Sequence, residues 1–599
     1  MTSPTTDRLA DFTTRPRVVL LSAMAAVVGV ISAFVALGLE RLIRLFTNLA
    51  YFHRFSLTLA SPADNHLGWW AVLVPVAGGL IIGLMARYGS ERIRGHGIPE
   101  ALEAILIGRS RMTVKVAILK PLSSALSIGT GGPFGAEGPI IMTGGACGSL
   151  FAQAFHLTAA ERKTLLVAGA AGGMAGIFGT PLAAVLLAVE LLLFEWKPRS
   201  FIPVATATAV AAALRVPLLG PGPLFLVPSH ALLPWHTLPI ALALGIAAGL
   251  GSVLLTTLVY GCEDLFLKVP IHWMWWPMLG GVVVGLGGML CPIALGVGYD
   301  TIHSLLTGKL VGLTALGLLL TKAVIWSVAL GSGTSGGVLA PLLMMGGALG
   351  AVASTSLHSA DPGLWATLSM GAMMGGTMRS PLTAIAFMLE LTDDINVLPA
   401  LLIACVAAHL VTVLLMKRSI LTEKVARRGH HVIREYQAPP LHQVRVADVM
   451  DAKVATVPAS LPLEGLFSRL VQEDPVIASQ HAWPVVDEAG RLLAVITRGD
   501  MVRAMEREDF DTCTALDAGT RSLAVTHPDE LLEEAAMKML DRDIGGLPVV
   551  ARDDPQRLLG YLARKGILAG WFRVADDERR REPGWLSEGL FRRVRARIK

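Results

Sequence analysis

The sequence predicts an α-helical polytopic membrane protein with an internal repeat of broken helices, followed by a soluble α/β region. Three observations predict this fold class. Of the 599 residues, 53% are hydrophobic and only 16% are charged, and the mean hydropathy is +0.58. Apolar segments follow one another as far as Met416, and a glycine-rich stretch of the first half recurs in the second. Together these features indicate a chain that lies mostly in a lipid bilayer.

The apolar segments differ in length. The first runs uncharged from Val18 to Leu39 after a polar, arginine-containing N-terminus at residues 1–17, and we interpret it as a retained membrane helix that starts in the cytoplasm. A second span covers Leu67–Ala86. Several later segments are shorter than the ~20 residues that cross a bilayer, so other parts of the protein must cover their ends. All the later segments, short and long, are Val114–Ile128, Pro139–Phe155, Leu165–Phe178, Pro181–Phe194, Phe201–Leu214, Leu238–Tyr260, Met274–Leu295, Val311–Leu330, Pro341–Ser354, Leu364–Met378, Pro381–Leu391 and Val397–Met416.

One of the breaks, Gly129–Pro139 (GTGGPFGAEGP), carries Glu137, and no other Asp or Glu lies between Glu103 and Glu161. An ionisable residue at membrane depth is by default a candidate functional residue. The glycines let backbone N–H groups approach a ligand, and Pro139 suits the first position of a helix whose positive end would face an anion. We interpret Glu137 as a gate or proton carrier that competes with the anion for these donors. The alternative is a carboxylate that caps a helix in a polar pocket.

This stretch recurs at Gly331–Pro341 (GSGTSGGVLAP), which aligns with it without a gap. Pro181–Leu191 likewise matches Pro381–Leu391 at nearly the same offset. Interrupted segments at equivalent places in two halves of a membrane protein mark a binding site where the repeats meet. Leu339 stands where the first copy has Glu137, so one half would supply donors and a gate, and the other half donors alone.

The composition changes after Met416, where basic residues follow the last apolar segment and indicate the cytoplasmic side. The membrane part is therefore predicted to span residues 18–428, with a linker at 429–443. Two copies of a β-α-β-β-α unit are predicted at 444–507 and 515–575, before a basic tail at 576–599. Their predicted elements are helices near Leu463–Gln472, from Asp500 and over Leu531–Leu540, and strands at 483–487, 492–497 and 547–550.

With these segments placed, the chain resembles the CLC family of chloride channels and proton-coupled chloride antiporters over roughly Arg17 to Arg428. Three motifs in order carry the resemblance: GHGIPE (95–100), GAEGP (135–139) and GGVLAP (336–341), with GVGYD (296–300) and ELTDD (390–394) in support. The soluble part resembles a tandem pair of CBS domains, which cytoplasmic tails of this family often carry. The resemblance implies chloride-selective transport by a homodimer with two inverted halves and one pore in each subunit. Both termini would be cytoplasmic.

The resemblance also implies which residues bind the anion. It maps the gating glutamate to Glu137 and the backbone N–H donors to Val338 and Leu339. The glycine turns at Gly97–Ile98 and at Gly135 would add the positive ends of helices.

His96 and Leu421 are among the positions that depart from the family's pattern. His96 stands where the family usually has a serine hydroxyl. Its imidazole would either donate to the anion and make transport depend on pH, or face away onto a backbone carbonyl. The tyrosine that closes the pore in many members corresponds to Leu421, which removes a hydroxyl from the central site.

Antiporters of this family generally carry two adjacent glutamates, the second of which takes up protons from inside. This chain has Glu190 followed by Leu191, a pattern that resembles the family's channels. We therefore expect a gated chloride channel, and a chloride/proton antiporter is the alternative. In the antiporter, Glu190, Glu195 or His96 would be the inner proton acceptor. A third hypothesis makes the CBS pair the main functional part, as a nucleotide sensor that regulates transport of another anion.

In the first CBS-like unit, Thr497 and Asp500 stand where CBS domains usually hold the ribose of an adenine nucleotide. The second unit lacks both groups, and a tail that only dimerises the protein is the alternative. The sequence shows no catalytic arrangement, no metal-ligand spacing and no phosphate-binding lysine loop. We therefore expect neither an enzyme nor a required cofactor. The net charge of +5 gives no indication of nucleic-acid binding.

Overall fold

The computed structural model describes residues 16–231, 233–357, 361–430, 444–472, 477, 480–506, 510–577 and 581–582. The chain divides into two compact units, one running to Tyr436 and including Arg581–Lys599, and the other covering Gln437–Arg580. Most of the predicted linker and of the basic tail lies outside the described residues.

The first unit is built from helices. In its described part, eight helical spans are long and apolar enough to cross a membrane, which confirms a multi-pass membrane protein. The α-helices are α1 (Arg17–Phe52), α2 (Leu73–Tyr88), α3 (Ile98–Leu106), α4 (Val114–Gly129), α5 (Glu137–Gln153), α6 (Ala159–Phe178), α7 (Pro181–Leu187), α8 (Pro198–Leu219), α9 (Thr237–Leu267), α10 (Trp276–Leu290), α11 (Tyr299–Leu306), α12 (Gly312–Gly331), α13 (Leu339–Ser356), α14 (Pro362–Met378), α15 (Pro381–Thr392), α16 (Leu398–Leu415) and α17 (Ile420–Arg427). A π-helical turn, Ala188–Leu193, follows α7, and a short strand, β1 (Leu157–Thr158), precedes α6.

Two helix starts and ends differ from the sequence-based expectation. α1 continues well beyond Leu39, because Glu40 and Arg44 form an ion pair one turn apart and keep the charged residues within the helix. α5 begins at Glu137, so the prediction that Pro139 is its first residue is wrong. Proline is tolerated at the third position because the first-turn N–H groups have no intrahelical partners in any case.

The two halves are related by an approximate two-fold axis. The N–H of Gly135 donates to the carbonyl of Gly337 (3.3 Å), and the N–H of Gly337 donates back to the carbonyl of Gly135 (2.9 Å). These residues are equivalent in the repeat and pair antiparallel. A reciprocal contact between equivalent residues requires a two-fold relation. The predicted internal repeat is therefore confirmed, and its axis passes through the glycine-rich stretches.

Small residues allow the helices of each half to pack closely. A methyl group at Gly144 of α5 would lie 2.3 Å from the carbonyl oxygen of Gly169 in α6, and one at Gly346 of α13 would lie 2.6 Å from that of Ser369 in α14. Helix contacts through small residues are typical of membrane proteins, where close packing replaces the hydrophobic effect. This packing brings the helix N-termini of both halves together in the interior.

The second unit is an α/β pair. β2 (Val457–Pro458), β3 (Ala482–Val486) and β4 (Leu492–Thr497) form one sheet in that order, and β5 (Gly546–Val550) pairs antiparallel with β6 (Leu558–Ala563). In the second copy, a single parallel bridge between Thr526 and Val549 stands in place of the first strand. The helices are α18 (Leu463–Val471), α19 (Arg498–Met505), α20 (Ala515–Ala518), α21 (Leu532–Asp541) and α22 (Arg564–Asp577). β7 (Arg581–Glu582) belongs to the first unit, where it pairs antiparallel with β1.

Candidate anion-binding site

Glu137 is the first residue of α5 and is fully buried. Its Oε1 accepts hydrogen bonds from the backbone N–H of Leu339 and from that of Ala340 (3.3 Å), both in the first turn of α13. Its Oε2 has no hydrogen-bond partner among the described residues. The carboxylate of one half therefore sits on the positive end of a helix from the other half, where an anion would otherwise bind.

The segment around His96 lies directly against this arrangement. The N–H of Gly95 donates to the carbonyl of Thr334 (3.2 Å), and the N–H of Gly336 donates to the carbonyl of Gly95 (3.4 Å). A methyl group at Gly138 would lie only 1.9 Å from the carbonyl oxygen of His96. Three helices, α3, α5 and α13, therefore begin next to one another. The structure brings together the residues predicted from the three motifs: His96, Gly97, Ile98, Gly135, Glu137, Val338 and Leu339.

His96 is 2% exposed, and its Nδ1 has no hydrogen-bond partner in the described part of the chain. Leu421, on α17, is also fully buried. A tyrosine hydroxyl does lie nearby, because Tyr260 of α9 donates to the carbonyl of Ile420 (2.5 Å), one residue before Leu421. This hydroxyl fastens the start of α17.

Two lysines that the sequence analysis did not select lie behind the glycine turns. Lys120 of α4 donates to the carbonyls of Ile93 (2.9 Å) and Gly95 (2.7 Å), and Lys322 of α12 donates to the carbonyls of Ala294 (2.8 Å) and Gly296 (3.1 Å). Both side chains are fully buried. A buried ammonium is costly unless it is hydrogen-bonded, so these contacts hold the turns before α3 and α11 in place.

The lysines also place an amino group behind each of two equivalent turns, one in each half. The amino-acid sequence alone could have identified both lysines, because an ionisable residue within an apolar membrane segment is a candidate functional residue. The two lysines also occupy equivalent positions in the repeat. Lys120 lies nine residues before Gly129, and Lys322 lies nine residues before Gly331, the first residues of the two aligned stretches. The signal was therefore present in the sequence.

Glu190 and Glu390 make a second reciprocal contact. Glu190 accepts from the N–H of Thr383 (2.8 Å) and from its hydroxyl (2.5 Å), at the start of α15. Glu390 accepts from the N–H groups of Leu182 (2.9 Å) and Ala183 (2.8 Å), at the start of α7. Each carboxylate caps the helix of the other half, so these contacts support a structural role for Glu190. Its predicted role as a proton acceptor remains a prediction.

We expect Glu190→Ala and Glu390→Ala each to destabilise the membrane unit by about 0.5–2 kcal/mol, because each removes a side-chain cap from a helix N-terminus. The measurement is the thermal unfolding of the purified full-length protein in detergent. Glu91→Ala is the control, since Glu91 is exposed. Unfolding temperatures equal to that of the unsubstituted chain would contradict the capping role.

Glu195 lies among cations. Its Oε1 accepts from the hydroxyl of Ser200 (2.5 Å), and its Oε2 is 3.1 Å from Nζ of Lys197 and 3.6 Å from a guanidinium nitrogen of Arg199. Leu191, which follows Glu190 where antiporters of the family have a second glutamate, is buried (1% exposed). A carboxylate held by positive charges keeps its own negative charge and is a poor proton acceptor.

In the second unit, Thr497 and Asp500 bind each other. Oδ2 of Asp500 accepts from the N–H (2.8 Å) and the hydroxyl (2.7 Å) of Thr497, and the Asp500 N–H donates to the same hydroxyl (3.1 Å). This is a capping box at the start of α19. It explains why α19 begins at Arg498, two residues before the predicted start. The other oxygen of Asp500 pairs with Arg503.

Paired broken helices whose N-termini meet around one buried carboxylate define an anion-transporting membrane protein. Comparison with known proteins agrees with this assignment to anion-transporting membrane proteins. The sequence profile of the voltage gated chloride channel family matches residues 78–413, and that of the CBS domain matches residues 446–507 and 517–570. The chain belongs to the voltage gated chloride channel family and carries a tandem pair of CBS domains.

Among the relatives are the voltage-gated ClC-type chloride channels ClcB of Shigella boydii serotype 18 and Escherichia coli O17:K52:H18. They are 31% and 30% identical to this chain over 422 residues, which cover 68% of this chain and 99% of each relative. Crystal structures of a slow cyanobacterial Cl⁻/H⁺ antiporter and of a eukaryotic CLC transporter match with TM-scores of 0.62 and 0.60. The antiporter is 23% identical to this chain, and the match covers 69% of this chain and 99% of the antiporter chain. The eukaryotic transporter is 18% identical, and the match covers 91% of this chain and 97% of the transporter chain. These structural matches show a shared fold.

Proposed function

We propose that this protein transports chloride across the membrane through the site between its two halves, with Glu137 as the gate. The observation that carries the proposal is the position of the Glu137 carboxylate on the N–H groups of Leu339 and Ala340. A carboxylate oxygen and a chloride ion both accept hydrogen bonds from N–H donors, so they compete for this position. Chloride passes when the carboxylate leaves, either displaced by the anion or released after protonation.

The groups around this position support binding of an anion after Glu137 has moved. The first-turn N–H groups of α13 are the direct donors: those of Leu339, which was predicted, and of Ala340, which was not. The predicted donation from Val338, the residue before α13, stays a prediction. The free Nδ1 of His96 supplies a further polar group from the α3 side. Lys120 and Lys322 contribute positive charge from positions that are fully buried and therefore little screened by water. Because Leu421 offers no hydroxyl, backbone donors dominate this site.

We propose passive, gated conduction in preference to proton exchange. Glu190 is engaged as a helix cap, Glu195 is held by cations, and the position after Glu190 is the buried Leu191. These contacts leave neither candidate glutamate suited to pass protons from the cytoplasm to Glu137. An antiporter, the alternative, would need another inner proton acceptor.

The test is chloride efflux from liposomes that contain the full-length protein, with simultaneous recording of external pH and with the membrane potential clamped. We expect chloride to leave down its gradient with no proton movement beyond that of protein-free liposomes. A chloride gradient that drives protons uphill would overturn the channel assignment and leave an antiporter. Absence of any protein-dependent chloride flux would overturn the proposal as a whole.

We further propose that the protein works as a homodimer in the cell membrane with both termini in the cytoplasm. Family membership supports the dimer, and the basic residues that follow α16 support the orientation. An adenine nucleotide at Thr497 and Asp500 would have to displace Arg503 from the Asp500 carboxylate. In this proposal the CBS pair regulates transport and does not carry it out.

A further inference from the structure

Tyr299, the first residue of α11, carries a hydroxyl group with no evident structural purpose. Its oxygen is buried and has no hydrogen-bond partner among the described residues. The ring itself is held in place, because it packs edge-on against Phe225 with the ring centroids 6.0 Å apart. A buried hydroxyl without a partner costs free energy that a phenylalanine would avoid. We therefore expect this hydroxyl to meet its partner in another state of the transport cycle.

The turn before α11 places Tyr299 beside the anion site. The N–H of Gly296 donates to the carbonyl of Gly131 (3.2 Å), which lies in the glycine-rich stretch that leads into α5. A methyl group at Gly298 would lie 2.0 Å from the terminal methyl carbon of Met344 in α13. The helix that Tyr299 begins is therefore packed against both elements that meet at the gate.

The charged groups around this hydroxyl come from three other helices. Glu137 of α5, Glu40 of α1 and Arg215 of α8 act on it electrostatically. Arg215 is 8% exposed and donates to backbone carbonyls, and no carboxylate among the described residues pairs with it. Glu40 is already paired with Arg44, and Asp300, the next residue of α11, is exposed. A carboxylate that reached the hydroxyl would therefore find a hydrogen-bond donor close to an unpaired guanidinium.

In the orientation proposed above, α11 lies on the outer side of the membrane. Its turn is the repeat equivalent of the turn before α3, since Lys322 binds one turn as Lys120 binds the other. α3 contacts the cytoplasmic helix α17, where Lys424 lies 2.8 Å from Glu100, and inverted halves place equivalent elements on opposite sides. Glu40 agrees with this side, because it lies roughly 35 Å along α1 from the cytoplasmic start of that helix.

We propose that the Tyr299 hydroxyl is the outer docking point of Glu137, the group that receives its carboxylate when it leaves α13. This inference rests on the proposed function, in which Glu137 is the gate. In the closed state the carboxylate accepts from the N–H groups of Leu339 and Ala340. In the open state the hydroxyl donates to the carboxylate and replaces part of the hydrogen bonding that it has lost. Tyr299 is thus a positioning residue that sets how readily the ionised gate opens.

The test is chloride efflux from liposomes that contain full-length Tyr299→Phe, recorded at alkaline and at acid pH. At alkaline pH the gate is ionised, so flux should fall by roughly tenfold, as for loss of a hydrogen bond to a charged group. At acid pH the gate is protonated and gains less from the hydroxyl, so the fluxes of the variant and the unsubstituted chain should converge. The charged groups that face the gate and the hydroxyl, Lys322, Glu40 and Arg215, stay unchanged. Tyr88→Phe, at an exposed tyrosine that ends α2, is the matched control and should keep the normal pH profile.

The same substitution in the Glu137→Ala background separates this inference from the proposed function. Without the carboxylate the hydroxyl has nothing to receive, so Tyr299→Phe should leave the flux of Glu137→Ala unchanged. An equal loss of flux in both backgrounds would overturn the proposal, since the hydroxyl would then serve the passing anion or the fold. Normal flux through Tyr299→Phe at every pH, beside a raised flux through Glu137→Ala, would overturn the docking role and leave the gate. If Glu137→Ala shows no raised flux, the proposed gate fails and this inference fails with it.

Thermal unfolding of purified Tyr299→Phe distinguishes a docking role from a structural one. Removal of an unpartnered hydroxyl orphans no acceptor, so the unfolding temperature should equal or exceed that of the unsubstituted chain. Tyr51→Phe is the comparison, because the Tyr51 hydroxyl donates to the carbonyl of Thr130 (3.1 Å) and its loss should lower the unfolding temperature. A lower unfolding temperature for Tyr299→Phe would show that its hydroxyl is already bonded in the closed state, and the proposal would be wrong.

Discussion

Replacing Glu137 by alanine is expected to raise passive chloride flux by roughly tenfold or more. The substitution removes the carboxylate from the N–H groups of Leu339 and Ala340, and a hydrogen bond to a charged group contributes about 1.5–3 kcal/mol. Glutamine keeps the shape but not the charge, so Glu137→Gln should give an intermediate flux. The measurement is chloride efflux from liposomes with matched amounts of full-length protein.

Acidification provides an independent check on the gate. Protonation of Glu137 weakens its hold on α13, so chloride flux through the unsubstituted chain should rise as the pH falls. Flux through Glu137→Ala should already be high and should lack this rise. Glu91→Gln, at an exposed glutamate, should behave as the unsubstituted chain does. If Glu137→Ala conducts no faster than the unsubstituted chain at neutral pH, Glu137 is a structural cap of α13 and not a gate.

Gly138→Ala is expected to abolish transport, although it adds only one methyl group. That methyl group would lie 1.9 Å from the carbonyl oxygen of His96 and 3.1 Å from Cα of Gly337, so α5 would have to move away from α3 and α13. Both neighbours are backbone and cannot rotate aside. Displacement of a few tenths of an ångström or more would separate the three helix N-termini, and the anion would lose its donors.

Gly317→Ala is the matched control for this substitution. Gly317 is also a helical glycine, in α12, but a methyl group there would meet nothing within 4 Å. Its flux and its thermal unfolding should equal those of the unsubstituted chain. Gly138→Ala should be compared with Gly317→Ala in both chloride flux and thermal unfolding. If Gly138→Ala folds and still conducts chloride normally, α3 is not part of the anion site.

The sequence predicted the membrane class, the repeat and the position of the gate, since these depend on composition and on local patterns. Glu137 is conspicuous because a carboxylate stands alone between apolar segments, and the glycine-rich stretch around it recurs in the second half. The predicted CBS-like units were also recognisable, because the alternation of their strands is local. The family comparison confirmed the membrane family and the CBS pair. The role of Glu137 as the gate is a proposal.

Other features could only come from the tertiary structure. The partners of Glu137 are 202 and 203 residues away along the chain, and those of Glu190 are 192 and 193 residues away, so no local pattern reveals them. Whether a glutamate caps a helix or carries protons depends on these distant contacts. The helix start at Glu137 was misplaced for a related reason, since a proline is compatible with several first-turn positions and only the packed structure selects one.

The sequence by itself therefore identified Glu137 as a carboxylate that is chemically unusual for a membrane interior, together with glycines at equivalent positions of the repeat. It also contains the two buried lysines, which the sequence analysis did not select. The tertiary structure decided what each of them contacts. The physical reason is that burial makes an unpaired polar group costly and so favours pairing, but the partner is supplied by whichever half of the fold packs against the group. In this protein that partner is, for Glu137, Glu190 and Glu390, the N-terminus of a helix from the opposite half.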